Sequence, residues 1–279
     1  MQDLLILGAG TSGTMMANHL KKQLPQGWQI TIIDQEETHY YQPGFLFLPF
    51  DIYKSSQVKK SIKKFIPKGV KLINKKIEKI DKENDKVILK NGKEISYDIL
   101  IIATGTQIAP DEVEGMLGDH WYKSIFDFYT YEGAKKLRNK LRKWKGGDLL
   151  VHITEMPIKC PVAPLEFAFL ADAYFEEKGM RNKVNIKYVT PLSGAFTKPT
   201  ATKELTHLLE KKNIEIVPDF AIEHVDGENK KIVDYGGDEL SYDLLVTVPT
   251  NMGDSAIERS GFGDELNYVP TNKATLQSN

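Results

Sequence analysis

The sequence is poor in cysteine, in long apolar runs and in net charge. Its 279 residues contain a single cysteine, so the fold cannot depend on an internal disulfide. No apolar run approaches about 18 residues, which excludes an evident transmembrane helix. The first residues show no basic segment or cleavage site, so we expect no secretory signal. The 37 basic and 38 acidic residues leave a net charge of −1, which gives no global argument for nucleic acid as a partner.

One plan recurs along the chain at an interval of 145 residues. The apolar run at residues 3–7 returns at residues 148–152, and residues 94–100 return at residues 239–245. This repeat predicts an α/β fold of two duplicated Rossmann-like dinucleotide-binding units with antiparallel strand inserts. The predicted boundaries are residues 1–108 for the first unit, 109–243 for the second, and 244–279 for a return to the first.

A glycine-rich turn follows the first predicted strand. Gly8, Gly10 and Gly13 lie between that strand and a predicted helix, and the next strand ends at Asp34. In this pattern the first glycine permits a tight turn, the second lets a pyrophosphate approach the backbone, and the third allows close helix packing. The helix N-terminus attracts phosphate, and the Asp34 carboxylate favours an unphosphorylated ribose. The turn therefore predicts a dinucleotide site.

The second unit lacks this chemistry. At the same interval, Ile153, Glu155 and Ile158 stand at the three glycine positions. An isoleucine cannot easily make the first turn, and a glutamate would repel the phosphates. The following strand runs into Thr190 and Pro191 rather than into an acidic residue. We infer that NAD(P)H is not the reductant.

The single cysteine, Cys160, precedes an apolar run that reaches Tyr174 and is predicted to be a helix. A thiol at a helix N-terminus has a stabilised thiolate, which is the nucleophilic form, and the neighbouring Lys159 favours the same charge state. The alternative is a buried, unreactive cysteine, since free cysteine is commonly buried. The pattern favours a functional thiol.

The opening turn, Asp34 and the run Ala103-Thr104-Gly105 resemble the FAD-binding half of the pyridine nucleotide-disulfide reductase superfamily. The resemblance implies that the first unit binds FAD, that the backbone at Ile77 holds the adenine, and that Gln42 and Pro43 run beside the isoalloxazine. For Pro43 the alternative is an ordinary loop proline. The FAD-binding residues implied are Gly8, Gly10, Thr11, Ser12, Gly13, Asp34, Gln35, Gln42, Pro43, Ile77, Ala103, Thr104 and Gly105.

The degenerate second loop, the Cys160-Pro161 pair and Glu166 are similar to sulfide:quinone oxidoreductases and to the flavin subunit of flavocytochrome c sulfide dehydrogenase. The resemblance covers the whole chain. It implies FAD-dependent oxidation of sulfide with electrons passed to a quinone, Cys160 as a redox thiol, and Glu166 near the quinone or proton path. For Glu166 the alternative is a glutamate on a helix surface. Three other functions stay open: a flavocytochrome c-type dehydrogenase, a type II NADH dehydrogenase, and a flavin-binding module without catalysis.

Two parts of that family's pattern are missing. The sequence has no partner for Cys160 and no second FAD motif, and residues 268–279 resemble the segment just before that motif. We therefore expect a fragment, whose missing C-terminal region would contact the membrane. The resemblance further implies sulfide and quinone as partners, a homo-oligomer, and a location peripheral to the cytoplasmic membrane, on a side that the sequence does not fix.

Residues 54–76 contain nine lysines and no acidic residue. Four apolar residues between Val58 and Ile66 follow a helical spacing, so we predict a short amphipathic surface helix; contact with anionic lipid is the alternative. The basic stretch at residues 135–145 is also predicted to be a surface helix. The six histidines are scattered, so we expect no metal site.

Overall fold

The structure, a computed structural model, describes residues 2–278. It contains two compact units, each built from separate stretches of the chain. Unit 1 contains the residues up to Tyr40, Lys59–Gln107 and the residues from Met252 onward; unit 2 contains Tyr41–Val58 and Ile108–Asn251. This division differs from the predicted one, which kept Tyr41–Val58 in the first unit and ended the second at residue 243. Chain order alone does not show on which unit a loop packs.

Unit 1 combines short strands with one long helix and then connects to unit 2 through a tenth strand. Its elements up to that connection are β1 (Gln2–Leu7), α1 (Thr11–Gln23), β2 (Trp28–Asp34), β3 (Thr38–Tyr40), β4 (Lys59–Ser61), β5 (Lys71–Asn74), β6 (Ile77–Asp81), β7 (Lys86–Leu89), β8 (Glu94–Ser96), β9 (Ile99–Ile102) and β10 (Thr106–Ala109).

The main sheet of unit 1 has four parallel strands in the order β5-β2-β1-β9. Helix α1 packs on one side of the sheet through Ala17, and the antiparallel sheet β6-β7-β8 contributes Ile80 and Leu89 to a second apolar cluster. Strands covered on both faces are apolar along their length, which explains the apolar runs of β1 and β2. Because the strands are parallel, their carboxyl ends bring the glycine-rich turn, Asp34 and residues 103–105 to one edge.

Unit 2 has the same kinds of element, and the chain then returns to unit 1. The elements are β11 (Ile125–Phe126), α2 (Tyr131–Leu141), β12 (Gly147–Ile153), α3 (Ala163–Glu177), β13 (Val184–Val189), α4 (Pro199–Lys211), β14 (Ile214–Val217), β15 (Ile222–Asp226), β16 (Lys231–Asp234), β17 (Glu239–Ser241), β18 (Leu244–Val248), β19 (Thr250–Gly253) and, back in unit 1, α5 (Ser255–Ser260).

The main sheet of unit 2 has five parallel strands in the order β11-β18-β12-β13-β14, and β15-β16-β17 form its antiparallel insert. Strand β12 begins 145 residues after β1, and β15 to β18 begin 145 residues after β6 to β9. The predicted α/β fold with parallel, Rossmann-like sheets is confirmed, and each main sheet is accompanied by a three-stranded antiparallel sheet.

The helix predicted within residues 54–76 does not form, and that prediction was wrong. Strand β4 instead pairs with β3, with Thr38 opposite Ser61, and a 3₁₀ turn follows. Ile62 is buried in the core of unit 1, whereas Phe65 packs against His39 with 4.3 Å between ring centroids. The apolar residues therefore make separate tertiary contacts rather than one helical face.

The basic stretch at residues 135–145 does lie largely on a surface helix, as predicted. Helix α2 buries Ala134, Leu137 and Leu141, while Lys135 pairs with Glu132 on its exposed side at 3.0 Å. Among residues 2–278, no helix is long and apolar enough to cross a membrane.

Candidate functional site

The glycine-rich turn of unit 1 is sterically closed at two of its three glycines. Gly8 has a φ of +94° and donates its N–H to the Ile33 carbonyl at 2.7 Å. A Cβ atom at Gly8 would lie 2.3 Å from the Ala103 carbonyl oxygen, and one at Gly13 would lie 1.8 Å from the Gly8 carbonyl oxygen. Side chains at these positions would collide with backbone, so both glycines are required by the turn itself.

Gly10 differs from the other two glycines because a Cβ atom there would meet no protein atom within 4 Å. Gly10 immediately precedes α1, and Thr11 and Ser12 are exposed in its first turn. No side chain caps the helix and its first turn contains no acidic residue, so the protein does not neutralise the unpaired N–H groups and the positive end of the helix dipole. This geometry suits a phosphate group.

Asp34 fixes the turn from the end of β2. Its Oδ2 accepts the Ala9 N–H at 2.6 Å, and its Oδ1 accepts the Glu36 N–H at 2.8 Å. A carboxylate oxygen has more than one lone pair, so each can still accept a bond from a ribose hydroxyl. Asp34 can therefore hold the turn and bind a ribose together.

A cavity of about 90 Å³ at the carboxyl edge of the sheet brings several of the predicted residues together. Gly105, with a φ of +74°, makes the adjacent turn, and Ala103 donates its N–H to the Leu7 carbonyl at 2.8 Å. The predicted residues that line the cavity are Gly8, Asp34, Gln35, Ile77 and Thr104.

Five lining residues were not predicted as site residues: Ile33, Lys76, Gln107, Asp254 and Ser255. Lys76 precedes the predicted Ile77, so proximity in sequence could have indicated it. Asp254 caps α5 by accepting the Ala256 N–H at 2.8 Å. It reaches the cavity from the returning end of the chain, so only knowledge of the tertiary fold could have indicated it.

Gln42 and Pro43 lie in unit 2, in a 3₁₀ helix over Gln42–Phe47, and not in the unit that carries the glycine-rich turn. Both residues are exposed. The Gln42 Oε1 atom accepts a hydrogen bond from the Lys159 ammonium at 3.0 Å. The structure therefore places Gln42 beside the Cys160 segment.

Cys160 is partly exposed and lies three residues before α3 begins. Its carbonyl oxygen accepts the Tyr129 hydroxyl at 2.7 Å and the Ala163 N–H at 3.2 Å. Burial raises the pKa of Tyr129, which keeps its hydroxyl protonated as a donor. The Lys159 N–H donates to the Asn251 Oδ1 at 3.0 Å, and Asn251 is almost fully buried. Cys160 is therefore a partly exposed residue on a backbone held from two sides, rather than a fully buried one.

Glu166 is exposed in the first turn of α3, where a negative charge is favoured by the helix dipole. Its N–H donates to the Val162 carbonyl at 3.0 Å, in the regular helical pattern. An exposed carboxylate at this position can exchange protons with solvent.

The loop after β12 is built differently from the glycine-rich turn. Ile153 and Ile158 are buried, and Glu155 is exposed. Isoleucine side chains thus occupy two positions where unit 1 has glycine. Among residues 2–278, no group of three or more His, Cys, Asp or Glu residues is arranged to hold a metal ion.

Comparison with known proteins gave consistent matches. The family model for pyridine nucleotide-disulphide oxidoreductases matches residues 2–154. The mitochondrial sulfide:quinone oxidoreductase of Mus musculus is 27% identical over 281 residues, which cover 99% of this chain and 62% of the mouse protein. The sulfide-quinone reductase of Aquifex aeolicus is 26% identical over 267 residues, which cover 92% of this chain and 60% of that protein.

Solved structures share the fold. The X-ray structure of the sulfide:quinone oxidoreductase from Aquifex aeolicus matches with a TM-score of 0.82 at 21% identity, covering 100% of this chain and 64% of that one. A putidaredoxin reductase in complex with putidaredoxin matches with a TM-score of 0.74 at 16% identity, covering 98% and 64%. The chain thus spans about three fifths of the length of the sulfide:quinone relatives that it matches.

Proposed function

Because the chain belongs to the pyridine nucleotide-disulphide oxidoreductase family, we propose that it is an FAD-dependent oxidoreductase that takes electrons from sulfide and passes them to a quinone. Relatives named sulfide:quinone oxidoreductase or sulfide-quinone reductase match over 92 to 99% of the chain, which supports this choice within the family. The proposal includes a position peripheral to the membrane and a homo-oligomeric state.

The glycine-rich turn is the observation that carries the FAD proposal. The space at Gly10 is open, the walls at Gly8 and Gly13 are closed by backbone, and Asp34 stands at the end of β2. These features fit a pyrophosphate at the N-terminus of α1 and a ribose on the carboxylate. Gly10, Thr11, Ser12 and Asp34 would hold the pyrophosphate and ribose, and Gln35, Ile77, Thr104 and Gly105 would border them.

Cys160 is the proposed nucleophile. Cys160 is partly exposed, and the hydrogen bonds that its carbonyl oxygen accepts from Tyr129 and Ala163 hold its backbone in place. FAD, when bound, would supply a two-electron acceptor. The Cys160 thiolate and hydrosulfide would form a sulfur–sulfur bond, with the proton of hydrosulfide released and the electron pair passed to the flavin. Lys159, the residue before Cys160, donates a hydrogen bond from its ammonium group to Gln42. Its positive charge would attract anionic hydrosulfide to this part of unit 2.

Anaerobic titration tests the proposal. We expect sulfide to bleach the flavin absorbance of the purified protein, NADH to leave it unchanged, and the Cys160→Ala variant to retain FAD without responding to sulfide. Reoxidation by a soluble quinone, but not by cytochrome c, would separate the quinone reaction from a flavocytochrome-type reaction. Bleaching by NADH would contradict the proposal and support a type II NADH dehydrogenase. Bound FAD that neither reagent reduces would indicate a module without catalysis.

Glu166 is the proposed proton carrier on the acceptor side. We expect Glu166→Gln to slow flavin reoxidation by quinone at least tenfold, since a positioned acid or base typically contributes about 10²–10⁴-fold. Flavin reduction by sulfide should be unchanged. Glu177→Gln, at the other end of α3 and also exposed, is the control, and an equal effect of both substitutions would assign Glu166 to the helix surface alone.

A further inference from the structure

Positive charge is concentrated in one short stretch of unit 1. Residues 59–76 carry eight lysines and no acidic residue, a formal charge of +8. The other 261 residues carry 29 basic and 38 acidic side chains, a charge of −9, which brings the whole chain to −1. This segregation produces a strongly cationic face that the net charge does not reveal.

All eight of these lysines are exposed, and half of them line one groove of unit 1. The groove has a volume of about 850 Å³ and lies beside β5, the edge strand of the main sheet. A single carboxylate, that of Glu37, is among its lining residues within the described chain. Four of the lysines line the groove: Lys59, Lys60, Lys63 and Lys68. We define the lysine surface as all eight exposed lysines, namely these four together with Lys64, Lys71, Lys75 and Lys76.

The charge of the lysine surface is largely uncompensated by the protein. Apart from Lys59, none of its members takes part in an ion pair among residues 2–278. Helix α1 adds a further cation at the rim of the groove. Gly69 lines the groove, and the Lys21 ammonium lies beside it, 3.3 Å from the position that a Cβ atom would take. Like charges this dense repel one another and attract anions from solution.

The composition of the surface selects among anionic partners. Residues 59–76 contain no arginine, and their single aromatic residue, Phe65, packs against His39 instead of lining the groove. Protein interfaces favour arginine and aromatic side chains over lysine, and single-stranded nucleic acid needs aromatic platforms. A lysine ammonium is a point charge on a flexible side chain and does not require one fixed hydrogen-bond geometry. A group of lysines therefore suits the surface of an anionic bilayer. Apolar Ile66, Val70 and Leu72 in the groove lining suit the glycerol and upper acyl region of a lipid.

We propose that the lysine surface docks unit 1 onto an anionic lipid bilayer, with phosphate headgroups entering the groove. This interaction is electrostatic, and it rests on the peripheral membrane position included in the proposed function, for which it supplies the contact surface. Apart from Lys76, which also lines the cavity beside Asp34, its residues differ from those proposed for FAD or sulfide. Vesicle binding is measured without flavin reduction, so its failure is distinguishable from a failure of the proposed reaction.

Vesicle co-sedimentation of the full chain tests the proposal. We expect binding to phosphatidylcholine vesicles that contain about 30% phosphatidylglycerol, with little binding to pure phosphatidylcholine and a loss of binding at high salt. The variant Lys60→Glu/Lys63→Glu/Lys68→Glu should bind the anionic vesicles at least tenfold more weakly. The control Lys82→Glu/Lys90→Glu/Lys93→Glu makes the same change of charge at exposed positions of the insert in unit 1 and should bind as the original protein does.

A melting curve of each variant shows whether it is folded. If the glutamate variant is not, Lys64→Gln/Lys71→Gln/Lys75→Gln, which leaves the groove lining intact, should still weaken binding at least threefold. Equal binding to neutral vesicles, an equal loss in the control variant, or unchanged binding in the folded lysine variants would overturn the proposal. So would tighter binding to a single-stranded oligonucleotide than to the vesicles, lost in the same variants, since it would identify nucleic acid as the partner.

Discussion

Gly8 and Gly13 are required by the turn itself, whereas the open space beside Gly10 is available to a ligand. Gly13→Ala would collide with the Gly8 carbonyl and unfold the turn, whereas Gly10→Ala meets no protein atom and keeps an ordinary φ of −70°. We expect Gly10→Ala to change the free energy of unfolding of the apoprotein by less than about 1 kcal/mol while weakening FAD binding at least tenfold. Flavin fluorescence titration measures the affinity.

Gly118→Ala is the matched control for this prediction. Gly118 also has open space at its Cβ position and no positive φ, so the substitution should change neither stability nor FAD affinity. Undiminished FAD binding by Gly10→Ala would remove the turn from the cofactor site.

His152 makes the protein sensitive to mild acid. The residue is fully buried, its Nδ1 lies 2.9 Å from the Thr247 Oγ1, and burial lowers its pKa from 6.5 to about 3. Below the unfolded pKa, the unfolded state binds a proton that the native state does not. Stability is therefore lost as pH falls from 6.5 toward 3, at up to about 1.4 kcal/mol per pH unit.

Urea unfolding at about pH 7 and about pH 5.5 measures this effect, which should amount to about 1 kcal/mol between the two conditions. We expect His152→Leu to lose that part of the pH dependence, and His207→Leu, at a histidine whose side chain is 61% exposed, to keep it. Equal slopes in the protein and in His152→Leu would show that another group controls the acid sensitivity.

At the scale of elements, an ion cluster around a buried carboxylate joins α3 to the segment after α4. The Asp172 carboxylate, only 2% exposed, accepts bonds from the Arg181 Nε and the Lys212 Nζ, both at 2.6 Å. The Arg181 and Lys212 side chains are 19% and 38% exposed, so water partly compensates their charges when the carboxylate is removed. Loss of these charge-assisted hydrogen bonds in Asp172→Ala should lower the free energy of unfolding by about 1.5–3 kcal/mol. Denaturant titration checks this value. Glu94→Ala, which breaks an exposed pair with Lys86, should have no measurable effect, and a similar loss in both variants would refute the argument.

Elements whose signal is local were predictable from the sequence, and elements that depend on distant partners were not. Strands β1 and β2, helix α1 and the glycine-rich turn are contiguous in sequence, so their periodicity and spacing were sufficient. The pairing of β4 with β3 joins Ser61 to Thr38, and apolar spacing alone suggested a helix there. The same limit applies to the site, since Asp254 and the bond between Gln42 and Lys159 depend on tertiary contacts.

At the scale of the whole molecule, unit 1 needs the last part of the chain. Ile257 of α5 is buried against Leu5 and Ile80, and the Ser260 hydroxyl accepts the Ile80 N–H at 2.8 Å. A chain that ends at residue 251 should lose the slow amide exchange of β6 to β8 while β12 and β18 in unit 2 remain protected. Hydrogen exchange measures this difference.

A chain that ends at residue 270 keeps α5 and loses mainly exposed residues, so it should retain protection in both units. Unchanged protection of β6 to β8 in the shorter chain would show that α5 is dispensable for unit 1.

The insertion of unit 2 between segments of unit 1 also has a consequence for synthesis on the ribosome. The first two segments of unit 1 are complete at Gln107, but the third begins only at Met252. At about 5–20 residues per second, roughly 7–30 s pass before α5 can join the sheet that carries the glycine-rich turn. The larger part of unit 2, Ile108–Asn251, emerges within that interval, so the nascent chain presents an incomplete unit 1 to chaperones until α5 is made.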